Sequence, residues 1–218
     1  MRYINIHSHT GTTEDGVIAI QSLYSGFDHI PANGFFSLGL HPWYLPHNWQ
    51  SEFKCVVNKS SLKNVVAIGE CGLDKITDAD FELQKEVFAA HIELAIEIKK
   101  PLVIHCVKAY EEIMVMLKNF NNRIPVIFHG FNKNKALADR LLEKGYYLSF
   151  GKAVGKEKVK EYFASMPLEK IFLETDDEVR IEEVYNWAAD AMNISTNSLS
   201  LQLNKNAEKV FGITSIEK

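Results

Sequence analysis

Short apolar runs recur along the chain, and longer amphipathic segments separate them. The runs are Tyr3–Ile6, Val17–Tyr24, Phe35–Leu40, Val65–Ile68, Leu102–Ile104, Val126–Phe128, Tyr146–Phe150 and Ile171–Leu173. They are brief and rich in β-branched or aromatic residues, which is the pattern of buried strands. From Val65 onward the intervening segments carry the helical period. Phe81, Val87, Phe88, Leu94, Ala95 and Ile98 make one stripe. Ala109, Ile113, Met116, Leu117 and Phe120 make a second, and Ala136, Leu137, Arg140 and Leu141 a third. Ile181, Val184, Tyr185, Ala188 and Met192 form a fourth. Leu199, Leu203, Ala207, Val210 and Phe211 form a fifth, with Thr196 or Ser198 as the expected N-cap.

Strand alternating with helix predicts a parallel sheet with helices outside it. Eight strands in this length fit a small TIM-type (β/α)8 barrel. We therefore expect one barrel domain over residues 1–218. The first third departs from the rule. No helical pattern lies between Ile6 and Phe35, where Gly11, Gly16, Gly26, Pro31 and Gly34 mark loops. Helices on that side are expected to be distorted or missing.

The composition is that of a globular chain: 218 residues, 46% hydrophobic and 24% charged. It excludes a disordered chain and a disulfide-stapled miniprotein. The net charge is −4, which gives no broad electrostatic footprint for nucleic acid. The three cysteines, Cys55, Cys71 and Cys106, are sparse and form no C-x-x-C pair, as suits a reducing compartment. No run approaches the ~18 apolar residues of a membrane span, and the start lacks a signal-peptide pattern. A cytoplasmic protein is the expectation, with oligomeric state left open.

The chemistry gathers where the runs end. Tyr3–Ile6 is followed by His7 and His9, Phe35–Leu40 by His41, and Val65–Ile68 by Gly69 and Glu70. Leu102–Ile104 is followed by His105, Val126–Phe128 by His129, and Ile171–Leu173 by Glu174, Thr175 and Asp176. In a parallel barrel the C-terminal strand ends share the face that holds the active site. Imidazole and carboxylate are ligands for divalent metals. His7 and His9, two apart on a strand, point to one side and can serve one ion. A lone histidine at such a place is as often a satisfied core or surface residue, and His29, His47 and His91, which lie elsewhere, are expected in a loop, a loop and a helix respectively.

These segments resemble the TatD family of metal-dependent deoxyribonucleases. The resemblance is carried by H-S-H at 7–9, G-L-H-P at 39–42, G-E-C-G-L-D at 69–74, I-H-C at 104–106, F-H-G-F at 128–131 and L-E-T-D at 173–176. Gln84, Phe88 and Asn206-Ala207 with Phe211 extend it over almost the whole chain. It implies a barrel of the metal-dependent hydrolase kind holding two divalent ions of Zn, Mg, Mn or similar type. His7, His9 and Asp176 would hold one ion, His105 and His129 the other, and Glu70 would bridge. Glu70 and Asp176 are the implied catalytic carboxylates, and Asp176 could take a proton from water. His41 and Lys108 are the implied substrate contacts. Glu174 reads as a structural strand-end residue and Asp74 as a loop-shaping one.

Several positions depart from the family pattern. Asn5 stands where Asp is usual, and Val107 where Arg is usual, so a bidentate phosphate fork is lost. The segment after His9 and the loop after Asp176 are short, and Asp177-Glu178 are expected to lead almost directly into a helix. The expected reaction is phosphoester hydrolysis of DNA or small phosphodiesters, with short or single strands favoured over long duplex. Two other readings stay open: hydrolysis of a C–N or C–O bond outside nucleic acids, and non-catalytic metal binding. Cys71 or Cys106 as a nucleophile is disfavoured, because the neighbour of an inward-facing strand residue points away. Trp43 and Tyr44 would either stack on a base or pack their own loop.

Overall fold

The computed structural model describes residues 2–11, 14–120 and 123–214. Eight strands occur: β1 (Tyr3–Ser8), β2 (Val17–Leu23), β3 (Phe35–Leu38), β4 (Val65–Asp74), β5 (Leu102–Val107), β6 (Val126–Phe128), β7 (Tyr147–Phe150) and β8 (Ile171–Leu173). Their order is the chain order. Among the described residues there are seven α-helices, one after each strand from β3 to β7 and two after β8: α1 (Trp49–Lys59), α2 (Phe81–Glu97), α3 (Tyr110–Leu117), α4 (Lys135–Glu143), α5 (Glu157–Phe163), α6 (Ile181–Met192) and α7 (Thr196–Phe211). As the sequence predicts, no α-helix lies between β1 and β3 among the described residues, where one 3-10 turn, Phe27–His29, is found.

The chain groups into two compact units. The first joins Met1–Gln21 to His129–Lys218, and the second is Ser22–Phe128. In the second unit β3, β4, β5 and β6 pair in parallel, each with the next. β4 is buried along its whole length and runs to Asp74, well past the expected end at Ile68. The added residues carry Gly69 and Gly72, whose φ angles are 124° and 144°. A Cβ at either would stand 2.2 Å from a β5 carbonyl oxygen, that of Val103 or His105. Glycine thus lets β4 keep its pairing through the bends around Glu70. The Gly69–Glu70 peptide is cis.

In the first unit β1 pairs with β2 and β7 with β8, both in parallel. The Asp176 N–H donates to the His7 carbonyl at 3.2 Å, tying the end of β8 to β1. α7 secures the other end of β1. Ser200 Oγ and Asn204 Nδ2 donate to the Arg2 carbonyl at 2.6 and 2.9 Å. The Tyr185 hydroxyl accepts from the Ile4 N–H at 3.0 Å and donates to its carbonyl at 3.1 Å.

Two helices and one cap differ from expectation. α1 buries only Trp49 and Val56, and Asn48 makes no side-chain capping bond, so both start and stripe are faint in the sequence. α5 has seven residues, too few to establish a period. The N-cap of α7 is Ser195, not Thr196 or Ser198; its hydroxyl accepts from the Ser198 N–H at 3.1 Å.

Candidate metal centre

Each unit brings its own donors together. In the first, β1 carries His7 and ends next to His9, and the turn after β8 carries Asp176. His7 Nε2 lies 3.6 Å from Asp176 Oδ1, and His9 Nε2 lies 3.5 Å from the same oxygen. Those separations are too long for good hydrogen bonds. They match the edge of a tetrahedron around a divalent ion, where two donors each ~2.1 Å from the metal stand about 3.4 Å apart. His7 is fully buried, whereas a third of the His9 side chain is exposed. The donor set fits a divalent metal.

His129 stands beside them. Its ring stacks on that of His7 with centroids 4.2 Å apart. Glu174 Oε1 lies 3.3 Å from His129 Nδ1 and accepts from the Gly130 N–H at 2.6 Å. A carboxylate in that position fixes the imidazole orientation and leaves Nε2 to a ligand. Glu174 is fully buried, and its Oε2 has no hydrogen-bond partner among the described residues. The expectation that Glu174 is structural thus acquires a specific content.

In the second unit Glu70 is 2% exposed and faces two imidazoles. Its Oε1 lies 2.7 Å from His105 Nδ1 and 3.1 Å from His41 Nε2. His41, Glu70 and His105 form a second donor triad. His41, expected at the substrate, is therefore joined directly to Glu70. Asp74 does more than shape a loop. Its Oδ2 lies 3.0 Å from His105 Nε2 and accepts from the Trp43 indole at 2.6 Å, while Oδ1 accepts from the Ile76 N–H at 2.7 Å. Burial works against its charge, but the Trp43, His105 and Ile76 hydrogen bonds win and hold the carboxyl below its ordinary range. Gln84 supports the same loop, accepting from the Asp74 N–H at 2.8 Å and donating to its carbonyl at 3.1 Å.

Other expected residues fall as follows. Lys108 is exposed just past β5 with φ 54°. The hydrogen bonds of Asn5 go elsewhere than to an imidazole among the described residues; its Oδ1 accepts from the backbone N–H of Thr175 at 3.1 Å and of His7 at 3.3 Å. Cys71 is buried and its thiol is pushed well up by desolvation, then by Glu70, which removes it as a nucleophile. As expected, Asp177 and Glu178 lead almost directly into a helix: α6 starts at Ile181, with Glu182 and Glu183 in its first turn. Asp177 turns back toward residues 8–10. Sequence reasoning missed that role, for which no local signal exists. His91, expected on a helix, lies on α2, is buried and accepts from the Leu40 N–H at 3.0 Å.

The fold defines the class. The crystal structure of a TatD homologue from Escherichia coli K12 superposes with a TM-score of 0.85, at 21% identity, over 97% of this chain and 98% of that one. The architecture is a parallel (β/α)8 barrel of the TIM type. The family description "TatD related DNase" matches residues 8–212, and the chain belongs to that family. An uncharacterized metal-dependent hydrolase of Buchnera aphidicola is 31% identical over 84% of this chain and 76% of its own length. A protein of Citrobacter rodentium named 3'-5' ssDNA/RNA exonuclease TatD is 26% identical over 81% of this chain and 76% of its own.

Proposed function

We propose that the protein is a divalent-metal-dependent phosphodiesterase acting on single-stranded or short nucleic acid and on small phosphodiesters. The observation that carries this reading is the spacing of His7, His9 and Asp176, two imidazoles and one carboxylate oxygen set at ligand separation rather than at hydrogen-bond distance. Family membership supports it, and so does the Citrobacter relative's name. The proposed ligands are His7, His9, Glu70, His105, His129 and Asp176. Glu70 as a bridge and His129 as a ligand of the second ion rest on the family resemblance. The ions would polarise a phosphoryl oxygen and lower the pKa of water, giving a nucleophile at neutral pH.

The chain's own residues do the rest. Asp176 offers its second oxygen to the proton released by the attacking water. Glu174 holds His129, and Asp74 holds His105, so that neither ring must reorient during the reaction. His41 keeps Glu70 in place and stands at the substrate side. Trp43 and Tyr44 are 52% and 59% exposed, and the Tyr44 ring stacks on Tyr24 at 5.0 Å. Exposed aromatic faces receive unpaired bases. Long duplex needs a track of cations, whereas the chain is net acidic and sets Asp177, Glu178, Glu182 and Glu183 soon after Asp176.

The test compares a short single strand, a small chromogenic phosphodiester and a long duplex at one salt concentration. Chelator is expected to abolish turnover, and added Zn, Mn or Mg to restore it. The single strand is expected to be cut fastest per scissile bond. Chelator-insensitive turnover, or turnover of C–N or C–O substrates alone, would overturn the reading. Faster duplex cleavage would overturn the substrate preference.

A further inference from the structure

We infer that Asp177 is a positioning residue that sets the His9 imidazole and the Asp176 carboxylate at metal-ligand separation. Three consecutive residues donate to its side chain. Oδ2 accepts from the backbone N–H of His9 and of Thr10, each at 3.0 Å. Oδ1 accepts from Ser8 Oγ at 2.7 Å and from Thr10 Oγ1 at 3.1 Å. One carboxylate thus closes four hydrogen bonds over a single turn, and the negative charge strengthens each of them.

The backbone shows why such an anchor is needed. Asp176 and Asp177 both adopt left-handed φ, 49° and 57°. Two successive non-glycine residues in that region are disfavoured and persist only when the surroundings fix them. The Asp177 carboxylate, bound across to residues 8–10, is that fixing contact on the outer side of the donors. On the inner side Asn5 makes the matching tie: its Oδ1 accepts from the Thr175 N–H, and its Nδ2 donates to Thr175 Oγ1 at 2.9 Å. Along the two segments His7 falls between Asn5 and the residues Asp177 binds, and Asp176 falls between Thr175 and Asp177. Gln21 completes the frame, its Nε2 donating to the His9 carbonyl at 2.8 Å. His9 thereby has both its N–H and its C=O held from outside its own strand.

The inference rests on the proposed metal site, and the test separates the two. Wild type, Asp177→Ala, Asp177→Asn and Thr10→Val are titrated with Zn2+ or Mn2+ in competition with a chromophoric chelator. Removing a group that orients a ligand costs about 10–100-fold in metal affinity. Asp177→Ala is expected to weaken binding by that factor. Asp177→Asn, which keeps one acceptor oxygen, should fall between, and Thr10→Val, which loses one of four bonds, nearest to wild type. At saturating metal the kcat of Asp177→Ala should return to within about threefold of wild type, with the loss confined to the activation constant for metal. A second readout needs no metal: amide exchange at His9 and Thr10 in the metal-free protein should quicken at least tenfold in Asp177→Ala. Should Asp177→Ala fail to fold, Asp177→Asn and Thr10→Val carry the same ranking. Affinities within twofold of wild type in the aspartate variants, or unchanged protection of both amides, would overturn the inference alone. A wild-type chain that takes up no divalent ion would overturn the metal reading first, and this inference with it.

Discussion

Stability should fall with acid because of His91. This imidazole on α2 is fully buried; Nδ1 lies 2.7 Å from the Val87 carbonyl and must donate to it, and Nε2 accepts from the Leu40 N–H at 3.0 Å. Protonation would put a second N–H against that donor. Desolvation by burial outweighs the Val87 contact and pushes the pKa from 6.5 down to about 4. The folded protein therefore binds the proton less readily than the unfolded chain. The contribution is full above pH 6.5 and is lost as pH falls toward 4. Linkage over that interval gives about 3 kcal/mol in all, and about 2 kcal/mol between pH 7 and pH 5. The assay is urea unfolding of wild type and His91→Gln at several pH values. The variant removes the titrating group, so the difference between the two curves isolates it from the other histidines. The stability advantage of wild type should shrink by about 2 kcal/mol on going from pH 7 to pH 5. A difference that stays constant across that range would refute the argument.

Gly39→Ala should damage both fold and activity, since the new Cβ would stand 2.5 Å from the Glu70 carbonyl oxygen and 2.7 Å from Gly69 Cα. Backbone on both sides cannot yield cheaply, and a cost near 2 kcal/mol lowers Tm by about 4–8 °C in calorimetry. Tyr185→Phe should cost about 2 kcal/mol in chemical denaturation, because the Ile4 N–H and carbonyl both lose a buried partner. Glu70→Gln should lower kcat far more than Asn5→Ala, whose side chain meets only backbone and Thr175; equal losses in steady-state rates would count against Glu70 as a ligand. Trp43→Ala should raise KM for a single-stranded oligonucleotide several-fold and leave the small phosphodiester less affected, which initial-rate curves on the two substrates will show.

Strand positions were legible because burial forces short β-branched runs, and the histidines were legible because they follow those runs. β4 was underestimated for a physical reason. Its second half, Gly69 to Asp74, carries glycines and acids that read as loop, yet close backbone contact with β5 requires the glycines, and the acids are held by His41, His105 and Trp43. α1 was invisible because two buried residues and an uncapped start leave no stripe. The partners of Asn5, Thr175 and the His7 N–H, were not legible because no motif signals them and Thr175 lies 170 positions away. The Asp177 contacts to residues 8–10 were not legible because those partners lie 167–169 positions away. The Glu174 role differs in kind: a strand-end acid was expected, and only coordinates reveal that His129 is what it orients.

The division of the chain also sets an order of events during synthesis. Ser22–Phe128 is one uninterrupted stretch, whereas the other unit joins segments on either side of it. Tyr3–Ser8 emerges earliest of all the strands, yet Thr175, Asp177 and Tyr185, which fasten it, come more than 160 residues later. His7 and His9 are therefore made well before the carboxylate that stands beside them. Until Asp176 is made, the proposed site is two imidazoles with an open side, and the turn after β8 is what closes it.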